Sequence, residues 1–210
     1  MASDLVFYTN PQSRGRIARW MLEETGAAYE AVILDYATGM RDPDYLSVNP
    51  MGKVPAIVHR GKVVTEGAAI CAYLADAFPE AELAPPLAER AGYYRWMFFA
   101  AGPLEQATID RARKIEVGED QRRMVGYGSF DHVVHALDAH LTGREWIAGD
   151  RFSAADVYVG SHLLWGSQFG WLPQRDSFDA YMTRLRDRAA YQRAREKDDA
   201  AIAAMTQEAA

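Results

Sequence analysis

The pattern of apolar and polar positions changes character after about residue 80. Before that point, short apolar runs typical of strands alternate with amphipathic patterns typical of helices. The strand-like runs cover residues 5–8, 29–34, 55–59 and 62–65, and the helical patterns cover 17–24, 42–46 and 66–77. Gly26 follows the first helical pattern and Pro79 the last, as expected of helix ends. These elements predict a parallel βαβ unit followed by an antiparallel ββα unit, with helices packed on one small mixed sheet.

Beyond residue 80 the strand signals end. Residues 79–86 contain three prolines and two acidic residues, which indicates a linker. Helices are predicted near residues 87–107, 121–141, 154–165 and 178–188, and the chain becomes alanine-rich and charged after about Arg193. The predicted fold class is therefore α/β plus all-α, with a thioredoxin-like βαβ-ββα domain over residues 1–80 and an all-helical domain over residues 87–210.

One helix start in the second half carries a specific signal. Ser153-Ala154-Ala155-Asp156 has the form of a capping box, in which serine caps the helix and the acid three residues later reaches back to it. Because Asp156 opens an apolar helix, we expect its carboxylate to be buried.

Composition narrows the class of protein. The net charge of −6 leaves no basic surface for nucleic acid, and apolar and charged fractions of 49% and 25% are those of a globular protein. No apolar run approaches the roughly 18 residues of a membrane span. Cys71 is the single cysteine, which excludes an internal disulfide and fits a reducing compartment. With no signal-peptide pattern at Met1, we expect a cytoplasmic protein.

A proline turn is the most informative local feature. Pro55 lacks an N–H and stands directly before a short apolar strand, so it belongs in a turn or at a strand's first residue. Val54 before it is pushed towards an extended conformation, and an X-Pro bond can be cis at low cost. An extended Val54 beside such a turn leaves its N–H and C=O free to pair with an extended, peptide-like ligand.

Together these features resemble the cytosolic glutathione transferase superfamily, in particular a bacterial member of serine or tyrosine type. The matching segments are residues 8–19, the Lys53-Val54-Pro55 turn, Glu66-Gly67 at a helix start, and residues 149–156. The resemblance covers nearly the whole chain. It implies glutathione as co-substrate, a role in detoxification, and a two-fold homodimer.

The resemblance also implies where glutathione binds. Pro55 would be cis, and Val54 would pair by its backbone with the cysteinyl part of glutathione. Glu66 and the Gly67 N–H would receive the γ-glutamyl end, and Lys53 would lie near a glutathione carboxylate. A helix N-terminus suits a carboxylate, because its amides are unpaired and its dipole is positive there. Many members have serine or threonine at the Gly67 position, so one hydrogen bond of about 0.5–1.5 kcal/mol is missing here.

The nucleophile in such an enzyme is the glutathione thiolate, so the thiol pKa must be lowered. Ser13, which lies just before the first helix, is the first candidate for this role, although serine there is also a preferred helix cap. Tyr8, at the end of the first strand, and Asn10 are the alternatives. No cysteine precedes the helix, which disfavours cysteine-type redox chemistry. Arg14 and Arg16 are expected to be solvated charges or members of ion pairs.

The second substrate would lie against side chains of the helical half. The aromatic and proline candidates for contact with a flat apolar electrophile are Trp96, Phe99, Pro103, Trp165 and Phe169. Aromatic residues at helical spacing are also ordinary core residues. The histidines at positions 132, 135 and 140 lack the arrangement of a metal site, and no metal is expected.

Three functions therefore remain open from the sequence. The first is a glutathione transferase that uses the thiolate to attack a small hydrophobic electrophile. The second is a glutathione-dependent isomerase or dehalogenase, which would use the same thiolate. The third is a binding or regulatory protein that kept the fold and lost the chemistry.

Overall fold

Four short strands form one mixed sheet in the order β2-β1-β3-β4. The computed structural model describes residues 4–208, and side chains up to residue 207. The strands are β1 Leu5–Thr9, β2 Glu30–Ile33, β3 Ala56–His59 and β4 Lys62–Thr65. β1 pairs in parallel with β2 and antiparallel with β3, which in turn pairs antiparallel with β4. This is the βαβ-ββα sheet that the sequence pattern predicts.

The register of the sheet brings three chain segments to one edge. Tyr8 of β1 lies opposite Ala56 of β3, and Ala56 lies opposite Thr65 of β4. Because neighbouring strands are about 4.8 Å apart, these three positions span only about 10 Å. The end of β1, the proline turn before β3 and the helix start after β4 therefore meet at the same edge of the sheet.

The helices follow the predicted order. They are α1 Gly15–Thr25, α2 Pro43–Val48, α3 Gly67–Ala77, α4 Arg90–Phe99, α5 Glu105–Ala112, α6 Phe130–Leu141, α7 Ala154–Gln168, α8 Asp176–Arg186 and α9 Ala189–Glu208. Gly26 ends α1 in the left-handed conformation, with φ 68°. Helix α1 packs against α3 and against α9, and it buries the side chains of Ile17, Trp20 and Met21. Cys71 is buried on α3.

Two predicted helices differ from the structure. The prediction of helix from residue 121 is wrong over its first turns, because residues 121–127 form turns and a bend and α6 begins at Phe130. Gly128, with φ 68°, interrupts the pattern, and the Ser129 side chain then caps α6. The helix predicted over 87–107 contains a π-helical segment, Ala100–Leu104, between α4 and α5. Pro103 lies in it and has no N–H for the regular helical bond.

The chain divides into two compact units, one that contains the sheet and one whose described residues form helices and no strand. One contains the residues up to Leu83 together with those from Asp187 onwards, and the other is Ala84–Arg186. The alanine-rich stretch after Arg193 lies in the 20-residue helix α9, which packs against α1. The division into functional domains at 1–80 and 87–210 stays a prediction.

Helix α7 forms the centre of the second unit. Its first turn has the predicted capping box, and Asp156 is fully buried, as expected. The Asp156 carboxylate accepts hydrogen bonds from the Ser153 N–H at 2.9 Å, the Ile147 N–H at 2.8 Å and the Tyr181 hydroxyl at 2.8 Å. Burial raises its pKa to about 6, while these hydrogen bonds act in the opposite direction.

Among the described residues, no helix is both long enough and apolar enough to cross a membrane.

Candidate functional site

The proline turn presents a free backbone edge. The Val54–Pro55 peptide bond is cis. The carbonyl of Lys53 accepts a hydrogen bond from the Asn49 side-chain amide at 2.7 Å and another from the Tyr45 hydroxyl. Neither the N–H nor the C=O of Val54 is paired within residues 4–208. The turn is thus held from one side by buried side chains, and the backbone of Val54 is available to an extended ligand.

The start of α3 faces the same edge of the sheet. Glu66 directly precedes the helix with φ 67° and ψ 122°, and its exposed side chain makes no capping hydrogen bond. The first amides of α3, beginning with Gly67, have no acceptor within the helix and carry its positive dipole end. An anionic group and a cationic group can therefore be held side by side, the first by the helix amides and the second by Glu66.

The loop between β1 and α1 is a tight turn that closes on itself. The Ser13 N–H donates to the Asn10 carbonyl at 3.0 Å, and the Ser13 hydroxyl donates to the same carbonyl at 2.7 Å. The Ser13 oxygen in turn accepts from the Gly15 N–H at 2.9 Å. The buried side chain of Asn10 donates to the Leu34 carbonyl at 2.8 Å and accepts from the Gln12 N–H at 2.9 Å. The Ser13 oxygen therefore binds the first amide of α1, although Arg14 is the residue that directly precedes the helix, and Asn10 shapes the turn.

Tyr8 differs from the other two candidates for thiol activation. Its ring lies 5.3 Å from the ring of Tyr45, measured between centroids, and its side chain is half-buried. Its hydroxyl makes no hydrogen bond to any residue in the described part of the chain. Tyr8 is thus an uncommitted donor at the edge of the sheet where the proline turn and α3 meet.

Comparison with known proteins shows which family has this arrangement. The model of the N-terminal domain of glutathione S-transferases matches residues 3–76, and that of the C-terminal domain matches residues 127–201. The glutathione S-transferase GST-4.5 of Xanthomonas campestris is 31% identical over 196 residues, which cover 85% of this chain and 91% of the relative. The chain belongs to the glutathione S-transferase family.

Solved structures of the family have the same fold. A glutathione transferase of Methylococcus capsulatus superimposes with a TM-score of 0.77 at 28% identity, covering 93% of this chain and 98% of the other. A sphingomonad glutathione S-transferase, solved in complex with glutathione, gives a TM-score of 0.76 at 28% identity, covering 92% and 98%. The predicted resemblance and the predicted fold class, a thioredoxin-like domain followed by helices, are confirmed.

Tyr45 and Asn49 are site residues that the sequence reasoning missed. Both bind the Lys53 carbonyl, and Tyr45 also packs against Tyr8, so they connect the proline turn with the end of β1. Asn49 was interpretable from the sequence only as part of a helix-breaking Asn-Pro pair. The buried position of both residues follows from how α2 packs, which the local pattern does not reveal.

The candidates for the second substrate all lie in the helical unit, but they differ in accessibility. Trp96 is 1% exposed and packs on His140, with ring centroids 4.2 Å apart, so it is a core residue that offers no surface to an electrophile. Phe99, Pro103 and Trp165 are half-buried, and Phe169 is exposed and stacked on Trp171.

Three histidines, at positions 132, 135 and 140, lie on α6. His140 contacts the Ile147 carbonyl through Nε2 at 2.8 Å. No group of three histidine, cysteine or acidic side chains in the described part of the chain is placed to hold a metal ion.

Proposed function

We propose that this protein is a glutathione transferase, which binds glutathione at the edge of the sheet and uses its thiolate to attack a small hydrophobic electrophile. The observation that carries the proposal is the unpaired backbone of Val54. Val54 stands two residues before Ala56, which lies opposite Thr65 at the end of β4, just before the start of α3. A free N–H and C=O on one residue match the antiparallel pairing of an extended tripeptide. Membership in the glutathione S-transferase family supports this choice of ligand.

Each end of glutathione then has a counterpart. The backbone of Val54 pairs with the cysteinyl residue of glutathione. At the γ-glutamyl end, the carboxylate takes the Gly67 N–H and the ammonium group faces Glu66. Lys53, which is exposed, is the cation for the remaining carboxylate. Gly67 provides no hydroxyl, so this end of glutathione is held by one hydrogen bond fewer than with serine.

Thiol activation is assigned to Ser13. A thiol with a pKa near 8.5 needs about 2.7 kcal/mol of preferential thiolate stabilisation to lower that pKa by ~2 units. The Gly15 N–H already donates to the Ser13 oxygen, which makes the hydroxyl a stronger donor. The hydroxyl proton now points at the neutral Asn10 carbonyl. A thiolate is the stronger acceptor, because hydrogen bonds to charged groups are roughly twice as strong, so the proton turns to the sulfur.

The reaction is a nucleophilic displacement or addition. The thiol proton leaves to solvent, the sulfur lone pair forms a bond to an electrophilic carbon, and a leaving group departs with its electron pair where the carbon carries one. The half-buried Phe99, Pro103 and Trp165 and the exposed Phe169 of the helical unit are the proposed contacts of the electrophile. Apolar side chains of this kind favour flat hydrophobic substrates.

We also propose that the protein acts as a homodimer in the cytoplasm. Dependence on reduced glutathione fits a reducing compartment. The burial of Cys71 keeps this thiol inert, since burial raises its pKa well above the ordinary value.

The activating residue is tested by two single-atom deletions. Ser13→Ala should lower the turnover of an activated aryl halide about 10²-fold, as does removal of one preorganised donor elsewhere, while glutathione affinity stays within about twofold. Tyr8→Phe, which removes only the uncommitted hydroxyl, is the matched control and should retain the rate. Steady-state kinetics and titration calorimetry measure the two quantities.

The opposite result would reassign the chemistry. A fully active Ser13→Ala variant together with an inactive Tyr8→Phe variant transfers the role to Tyr8. Absence of glutathione binding heat at millimolar ligand in the wild-type protein overturns the transferase proposal altogether and favours a binding or regulatory protein. Binding without turnover of aryl halides would favour an isomerase or dehalogenase.

A further inference from the structure

Arg16 connects the loop of the glutathione site to the C-terminal helix. It lies in the first turn of α1, and its Nε donates to the Pro11 carbonyl at 2.8 Å. Its terminal nitrogen donates to the carboxylate of Asp199 on α9. The carboxylate of Asp198 is 4.0 Å from the same Nε. One guanidinium therefore joins three points: the loop, α1 and α9.

Asp198, one of the two acids on α9 near Arg16, is buried and held by a second arginine. Asp198 is 1% exposed and accepts from the Nε of Arg19 at 2.7 Å. Arg19 is buried too, and its guanidinium lies 5.3 Å from the ring centroid of Phe7 in β1. Breaking one member of such a buried pair is costly, so the position of Asp198 and its neighbour relative to α1 is well defined. Arg16 is thus anchored from the α9 side.

The other contact of Arg16, to the Pro11 carbonyl, acts on the turn that carries Ser13. Proline fixes its own φ, so holding the Pro11 carbonyl sets the plane of the Pro11–Gln12 peptide. This peptide lies inside the turn that the Ser13 N–H and hydroxyl close onto the Asn10 carbonyl. A tilt of the peptide would move the Ser13 oxygen relative to the Gly15 N–H that polarises it.

We propose that Arg16, held by Asp198 and Asp199, is a positioning residue for thiol activation: through it, helix α9 sets the orientation of the Ser13 hydroxyl. The inference rests on the proposed function and extends it to a part of the chain far from the site in sequence. It requires arginine specifically. A planar guanidinium offers Nε to the carbonyl and a terminal nitrogen to the carboxylate at once, whereas an ammonium group is a point charge without this fixed geometry.

The chain provides a matched control on the same two helices. Lys197 of α9 donates to the carboxylate of Glu23 on α1. Glu23 lies near the other end of α1 from the loop, and it also binds Arg193. Lys197→Gln therefore removes an ion pair between α9 and α1 without touching the Pro11 carbonyl. Any general effect of loosening α9 should show in this variant as well.

The test compares Arg16→Met, Arg16→Lys, Asp199→Asn and Lys197→Gln in the full-length protein. The pKa of bound glutathione is read from the ultraviolet absorbance of the thiolate as a function of pH, and glutathione affinity from calorimetry. Arg16→Met should raise the thiol pKa by about one unit, equivalent to a tenfold loss of thiolate at low pH, with affinity changed less than about twofold. Arg16→Lys and Asp199→Asn should raise it by less, and Lys197→Gln should leave it unchanged.

Hydrogen exchange gives a second readout that does not depend on activity. The peptide covering residues 9–16 should exchange faster in Arg16→Met than in the wild type, and at the wild-type rate in Lys197→Gln. An unchanged thiol pKa in Arg16→Met, or an equal shift in Lys197→Gln, overturns the positioning role and leaves the transferase proposal intact. A wild-type protein that shows no thiolate absorbance with glutathione overturns both.

Discussion

Glu66 has a backbone conformation that residues with a side chain rarely adopt, with φ 67° and ψ 122°. Such a conformation costs on the order of 1–3 kcal/mol and persists only where the surrounding structure enforces it. At this position it turns the chain from β4 into α3 and leaves the carboxylate exposed beside the first amides of the helix. The strain and the proposed ammonium contact thus belong to the same residue.

Replacing Glu66 by glycine should therefore separate stability from binding. Glycine relieves the strain but loses about 0.5–1 kcal/mol in backbone entropy, so Glu66→Gly should gain about 1 kcal/mol in the free energy of unfolding. Glutathione affinity should fall, since the partner of the γ-glutamyl ammonium is removed. Glu66→Gln is the control, because it keeps the strain and loses the charge. Urea unfolding measures the free energy of unfolding, and calorimetry measures the glutathione affinity. A Glu66→Gly variant less stable than Glu66→Gln would contradict the strain argument.

Individual residues of the candidate site were predictable where the residue type itself restricts the backbone. Pro55 lacks an N–H, and an acid and a glycine precede an apolar helix, so the turn at Val54 and the helix start at Glu66-Gly67 were predictable from the sequence. Their contacts with glutathione stay predictions. The roles of Tyr45 and Asn49 were not predictable, because both depend on where α2 packs relative to the proline turn.

At the scale of elements, α7 shows how a local signal becomes a tertiary contact. The capping box is recognisable in the sequence, but the Asp156 carboxylate also binds the Ile147 N–H and the hydroxyl of Tyr181 on α8. One buried acid thus ties the start of α7 to a preceding loop and to the next helix. Loss of such a network typically costs several kcal/mol, because the remaining donors are left buried and unpaired.

The raised pKa of Asp156 predicts a particular dependence of stability on pH. Burial raises the folded-state pKa of Asp156 to about 6, above the ordinary value of an aspartate side chain. Between about pH 4 and 6 the folded protein keeps a proton that the unfolded chain has released, so this contribution to stability falls as pH rises, by on the order of 3 kcal/mol in total. The stability advantage of the wild type over Asp156→Asn, measured by urea unfolding, should shrink from pH 4.5 to pH 7. An advantage that is constant or grows over this range would show that the hydrogen bonds outweigh burial.

Element boundaries were predictable where a stop signal is strong. Gly26 ends α1 and Phe78-Pro79 follows α3, as the sequence indicates. The start of α6 was missed because residues 121–125 have helix-compatible composition, and Gly126 and Gly128 break the pattern only later. Helix α9 was not recognised since its alanine-rich, charged sequence has a weak apolar face. Charged contacts connect it to α1, such as the pair of Asp198 with Arg19 at 2.7 Å, and Arg188, which directly precedes α9, makes a bidentate pair with Glu24, at 2.7 Å for both bonds.

On the scale of the whole molecule, exposed apolar side chains occur on each of the two units. On the unit with the sheet, Met51 is 72% exposed and lies in the turn just before Lys53, and Val63 of β4 is exposed as well. On the helical unit, Phe98 is 71% exposed, and Tyr94 precedes it by one turn of α4, so the two share a face. Interaction surfaces are contiguous exposed apolar patches. The Phe98–Tyr94 face and Met51 are therefore the positions at which the proposed pairing with a second copy of the chain is tested.

A charge placed on these surfaces should dissociate the dimer. Burying a carboxylate among apolar groups without a partner is strongly unfavourable, so Met51→Glu and Phe98→Glu should each raise the dimer dissociation constant at least 100-fold, or about 2.7 kcal/mol. Met124→Glu is the matched control: Met124 is 84% exposed, but it lies in the turns before α6, away from both surfaces in sequence and in a different element.

Sedimentation velocity over a range of concentrations measures the dimer dissociation constant. A wild-type protein that is monomeric at tens of micromolar would refute the homodimer, and dissociation by Met124→Glu alone would place the interface elsewhere. Loss of glutathione affinity in both monomeric variants would further show that the partner supports the proline turn, whereas loss in Met51→Glu alone would be a local effect of a carboxylate placed two residues from Lys53.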